Sequence, residues 1–118
     1  MHGLTNRLTG GSSTSGCLGN EEQMGEGWSD WYAIMLTIDI NSENPTRRPM
    51  GTFASDEEID GNGIRPLPYD TNFVANDYTY ADIGNNEISQ PHGVGFVWST
   101  MLWDLTWAFI NEYGYDDD

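Results

Sequence analysis

A chain of 118 residues suffices for one domain or subdomain around a single modest hydrophobic core. Four Lys+Arg against nineteen Asp+Glu give a formal net charge of -15, which excludes a nucleic-acid partner, since a phosphate backbone demands clustered basic side chains. Aromatic residues reach 13%, with five Trp and six Tyr, which excludes a disordered acidic tail. An acidic surface of this kind serves solubility alone, or suits an extracellular protein or one that holds cations.

Residues His2–Leu8 read as the last turns of a helix, and Met1–Arg7 lacks the apolar core of a signal peptide, so any leader is expected upstream. Gly10–Gly16 is a Gly/Ser-rich loop. Cys17, the sole cysteine, permits neither an internal disulfide nor a Cys-based zinc site; it is a buried free thiol, or pairs with another part of a longer chain. A helix is predicted from about Gln23 to Ile38, because Trp28, Trp31, Tyr32, Met35 and Leu36 recur at spacings of three and four. The apolar stretch around Tyr32–Ile40 is broken by Thr37 and Asp39 and is too short to span a bilayer, so no membrane partner is expected.

Residues 39–90 hold Pro45, Pro49, Pro66 and Pro68 among many Asn, Asp and Gly, and read as irregular connection with short helical turns. Asp56-Glu57-Glu58 followed by Asp60-Gly61-Asn62-Gly63 leaves calcium possible, but the closing Glu of a twelve-residue calcium loop is absent, and a solvated turn is the simpler reading. Pro91 introduces a second helix, predicted from about Gly93 to Glu112. Its stripe Val94, Val97, Met101, Leu105 and Ala108 is widened by Phe96, Trp98, Leu102, Trp103 and Phe109, so enclosure on most sides is expected. Asp116–Asp118 reads as a frayed acidic end. The expected fold is mainly α: two principal helices packed together, with a long irregular connection.

The most informative segment is Met24–Trp31. Glu26 and Asp30 stand four apart and project from one helix face among tryptophans. Burying such acids unpaired costs several kcal/mol, on the order given for isolated buried charges. There is no Lys in the chain, and all four Arg lie elsewhere in sequence. A metal ion would neutralise the pair, one carboxylate ligating and the other orienting a ligating histidine. A solvated helical edge or an N-terminal pair favoured by the helix dipole remains the alternative, and spacing by itself favours it. His2 and His92, each beside a glycine at the end of a predicted helix, shift the balance towards a site.

The run His2–Gly11 resembles the sequence that follows the zinc-binding H-E-x-x-H motif of fungalysin-type metallopeptidases. Gly25–Asp30 resembles their segment carrying the third protein ligand. His92-Gly93-Val94-Gly95, followed by Trp98–Asp104, resembles a further landmark of the same family. The resemblance runs through most of the chain and keeps its order. It implies that His2 and Glu26 are zinc ligands, that Asp30 orients a ligating histidine, and that His92 hydrogen-bonds the developing oxyanion. It further implies that Arg65 grips the peptide carbonyl and that Glu87 steadies His92. The chain, 1–118, would then be the C-terminal helical half of a thermolysin-like catalytic domain in a secreted endopeptidase that acts on proteins or peptides and is made with an inhibitory propeptide.

Met1 alone stands before His2, so the first His and the Glu of H-E-x-x-H are missing from these residues. Two ligands without a general base bind zinc weakly and leave proton abstraction without an agent, so the isolated chain is expected to be inactive. Self-association through exposed apolar surface is a further expectation. The alternative reading is an acidic extracellular binding module with a structural cation and no catalysis.

Overall fold

The computed structural model describes residues 1–14 and 16–116, which leaves Ser15 of the Gly/Ser-rich loop and the last two residues of the acidic terminus outside the described residues. Among the described residues the fold is mainly α, built on α1 (His2–Gly10), α2 (Gly25–Met35) and α3 (His92–Tyr113). α1 continues through Gly10, into the stretch expected to be loop, and buries none of its residues. Its Leu4 and Leu8 are exposed beside Trp28 and Tyr32 of α2, with which they line a shallow apolar groove. Cys17 packs under α1 as a half-buried free thiol and donates to the Asn6 carbonyl at 3.6 Å.

α2 is shorter than the periodicity predicts. The Arg48 guanidinium donates to the carbonyls of Ile34 at 3.2 Å and Thr37 at 2.7 Å, closing the carbonyl end that would otherwise invite another turn. Ile34 is the fully buried apolar residue of this helix, whereas Leu36 falls beyond its end and is 72% exposed. α3 exceeds the predicted span by one residue at each end. Its buried line runs Phe96, Ser99, Thr100, Trp103 and Trp107, while Leu105, Ala108 and Phe109 face solvent. Length explains the difference. Eleven residues make roughly 16 Å of helix and twenty-two make roughly 33 Å, so α2 can cover about half of α3. Ile34, Tyr69, Phe96, Val97, Trp103 and Trp107 form the core, each such side chain contributing about 1.5–3 kcal/mol on full burial.

The crossing of α2 and α3 is made by two glycines. A Cβ on Gly27 would collide with the Gly95 carbonyl, and one on Gly95 would stand 2.6 Å from Glu26 Cβ and from the Gly27 nitrogen. Trp31 Nε1 donates to Thr106 Oγ1 at 2.9 Å further along the same contact. Gly27→Ala is therefore expected to destabilise the fold by about 1–3 kcal/mol, the usual scale of overpacking. A urea unfolding midpoint unchanged by this substitution would contradict so close an approach.

Residues 36–91 are irregular, with short 3-10 turns at Thr52–Ser55 and Tyr80–Asp82. Two isolated bridges order the middle of the connection: Arg48 pairs antiparallel with Tyr69, and Met50 pairs parallel with Gly63. Gly63 has φ +77, and a Cβ there would strike the Met50 carbonyl, so this bridge requires glycine. Trp103 Nε1 donates to the Thr46 carbonyl at 2.7 Å, and Asn76 Nδ2 donates to the Pro68 carbonyl and Thr100 Oγ1, both at 3.2 Å. The connection is thereby tied to α3. In the acidic turn, Glu57 Oε2 accepts from the Gly63 amide at 2.8 Å while Arg47 donates to the carbonyls of Asp60 and Gly61. The turn closes on itself. Among the described residues no helix is long and apolar enough to cross a membrane.

Candidate active site

The Gly27–Gly95 crossing brings the first turn of α2 against the first turn of α3, and with them Glu26 against His92. Glu26 Oε2 lies 3.7 Å from His92 Nε2. α1 delivers His2 from the other side, its Nδ1 3.8 Å from Glu26 Oε1. The bridges at Met50–Gly63 and Arg48–Tyr69 bracket Arg65, and its Nη2 reaches Glu26 Oε2 at 3.3 Å. Residues 2, 26, 65 and 92 thus converge on one carboxylate, whose side chain is 21% exposed, while both imidazoles are more than half open or close to it. A position in the first turn of α2 also places the Glu26 charge where the helix dipole favours it.

His2 Nδ1 stands 3.2 Å from the Gly25 carbonyl and 3.4 Å from Ser29 Oγ. A carbonyl oxygen can accept but not donate, so the Gly25 contact assigns the proton of the neutral ring to Nδ1. The Nε2 lone pair is then left for a metal ion, the arrangement in which the second ring nitrogen of a ligating histidine is held by a backbone carbonyl. His2 and Glu26 supply one nitrogen and one oxygen donor of the kind zinc takes. Among the described residues no group of three or more His, Cys, Asp or Glu is arranged to hold a metal ion. His2 and Glu26 are two donors suited to a metal ion, fewer than a complete site needs.

The sequence points to a metal ion to neutralise the Glu26–Asp30 pair; on Asp30 the neutralising charge in the structure is Arg65. Its Nε donates to Asp30 Oδ2 at 2.6 Å and its Nη2 to Asp30 Oδ1 at 2.9 Å, a two-pronged pair with both side chains 7% exposed. The hydrogen bond to Asp30 above all holds the guanidinium well above its ordinary range, so Arg65 is a permanent cation. Tyr69, fully buried against Phe96, adds a third bond by donating its hydroxyl to Asp30 Oδ2 at 2.6 Å. Burial first, and the Asp30 charge second, push that phenol far above its usual value.

Of the residues singled out in the sequence, His2, Glu26, Asp30, Arg65 and His92 come together. Glu87 does not: it is exposed, its amide donates to Asn85 Oδ1, and the carboxylate nearest His92 is that of Glu26. Tyr69 is the participant that sequence reasoning missed. Asp30 contacts no histidine among the described residues, its partners being Arg65 and Tyr69.

The whole chain, residues 1–118, matches the fungalysin metallopeptidase (M36) family. It is 44% identical over 115 residues to extracellular metalloproteinase 2 of Trichophyton tonsurans, covering 96% of this chain and 17% of that protein. It is 43% identical over 116 residues to extracellular metalloproteinase 2 of Arthroderma otae, with the same coverage. To extracellular metalloproteinase mep of Aspergillus niger it is 40% identical over 118 residues, which is 98% of this chain and 18% of the relative. The chain therefore spans less than a fifth of the length of the curated relatives it matches.

Proposed function

This chain belongs to the fungalysin metallopeptidase family, and from that premise we propose that it forms the C-terminal, largely helical part of a thermolysin-like catalytic domain in a secreted zinc endopeptidase. The observation that carries this reading is the convergence of His2, Arg65 and His92 on the Glu26 carboxylate, from three elements remote in sequence. His2 and Glu26 would hold the ion, and a further histidine and the proton-abstracting glutamate would come from the H-E-x-x-H motif of the whole protein. Zinc, when bound, supplies Lewis acidity to water and the scissile carbonyl. The extracellular location follows the names of the relatives. Protein or peptide substrates and an inhibitory propeptide complete the proposal for the whole protein.

The other side chains have geometry suited to their parts. Arg65 directs Nε and Nη2 to carboxylates, and among the described residues no hydrogen bond is made by Nη1, the end of this largely buried guanidinium that would grip a substrate carbonyl. The half-exposed His92 imidazole is open to a developing oxyanion while Glu26 stands behind it. Asp30 accepts three of the roughly four bonds open to a carboxylate, so one position on Oδ1 remains for the N–H of a ligating histidine. The 118 residues by themselves carry two ligands and no general base, and are catalytically inactive in this account.

Peptide hydrolysis by the whole protein tests the proposal. Chelation should abolish cleavage, and His92→Ala should lower kcat by about 100- to 1000-fold, the scale of a removed oxyanion donor, with zinc still bound. Chelator-resistant hydrolysis, or normal turnover in the His92 variant, would contradict it.

A further inference from the structure

Arg65 sits between two carboxylates and does not share itself evenly. It meets Asp30 through two bonds of 2.6 and 2.9 Å, and Glu26 through one of 3.3 Å. Nη2 donates one of its two N–H groups to each carboxylate, so Asp30 and Glu26 pull the same end of the guanidinium in different directions, and a shift towards one lengthens the contact with the other. A permanent cation drawn fully onto Glu26 would occupy the oxygen that a metal ion needs. The outcome of that competition depends on where the Asp30 carboxylate is held.

Tyr69 holds it. Its hydroxyl shares Asp30 Oδ2 with Arg65 Nε, both at 2.6 Å, and so fixes the carboxylate in the plane that receives the guanidinium fork. The ring cannot swing away, being fully buried against Phe96, and its backbone is bridged to Arg48 in both directions at 2.7 and 3.0 Å. Ser99, also fully buried, lies beside the hydroxyl, an added polar neighbour inside the core. A core ring alone would be served as well by phenylalanine. A hydroxyl aimed at a buried ion pair has a different use.

We propose that Tyr69 is a positioning residue that keeps Glu26 available to a metal ion, by fixing the Asp30 carboxylate that draws Arg65 away from Glu26. The inference rests on Glu26 being a metal ligand, as read above. Removing the hydroxyl frees Asp30, lets Arg65 move towards Glu26, and makes an incoming ion compete with the guanidinium.

The test is the apparent zinc dissociation constant of the whole protein, measured by competition with a chromophoric chelator. Tyr69→Phe should weaken zinc binding by about tenfold or more, the range for groups that support metal ligands. In an Arg65→Gln background the same substitution should change the constant no further, because the competitor is gone. A purely structural role would not produce that dependence. Asp30→Asn, which keeps side-chain shape and leaves the core ring untouched, reads the same contacts should Tyr69→Phe melt early without metal, and should weaken zinc binding more with Arg65 present than in the Arg65→Gln background, where only its contact with a ligating histidine is lost. Wild-type affinity in both variants, or an equal loss from Tyr69→Phe with and without Arg65, overturns the proposal. Wild-type and Glu26→Gln proteins belong in the same titration. Equal binding by those two removes Glu26 as a ligand and the underlying reading with it; unequal binding, with Tyr69→Phe tracking the wild type, removes the inference alone.

Discussion

Glu26→Gln is expected to strip the whole protein of zinc, lowering affinity by more than about 100-fold, beyond what loss of a supporting group costs. Glutamine preserves the length and shape of the side chain. Its amide oxygen can still accept from Arg65 Nη2, which now stands 3.3 Å from Glu26 Oε2, so helix packing should survive. The negative charge that balances a divalent ion is what disappears. Metal analysis after gel filtration should show about one ion per wild-type molecule and close to none in the variant. Undiminished metal content would remove Glu26 from the ligand set and leave its contacts with His2, Arg65 and His92 as an ordinary polar cluster.

Asp30→Ala should be among the more damaging single changes to stability. It deletes the acceptor of two Arg65 bonds and one Tyr69 bond at a site where the carboxylate and guanidinium side chains are each 7% exposed. Arg65 cannot escape by shedding its proton, and Glu26 offers a longer contact in a more solvated position. Stranding one member of a buried pair costs about 3–5 kcal/mol. Urea unfolding of the zinc-free protein measures this directly. A loss under about 1 kcal/mol would mean that the pair behaves as a surface ion pair.

The parts of this site legible in the sequence are those borne on ordered local patterns. Gly25–Asp30 and His92–Gly95 each open a helix whose apolar spacing is plain, and the i, i+4 relation of Glu26 and Asp30 reads directly as a shared face. What neutralises Asp30 was not legible. Arg65 arrives from 35 residues away on an irregular strand of chain, placed by two backbone bridges and a left-handed glycine, none of which has a periodic signature. Tyr69 lay hidden for the same reason, in a proline-rich run where no pattern says which side chain turns inward. For α3 the difficulty was an excess of signal. A helix whose apolar residues run well beyond one face gives little phase, and the stripe through Leu105 reads as well as the buried line through Trp103. The existence and pairing of the helices could be read; the rotation of one about its axis could not.

The two-glycine crossing has a bearing on the spacing of the cluster beside it. Because backbone meets backbone at Gly27 and Gly95, α2 and α3 stand as close near Glu26 and His92 as their main chains allow. The interval between the carboxylate and the imidazole is set like the jaw of a fixed gauge. A larger residue at either glycine would therefore widen that interval together with the spacing of the helices.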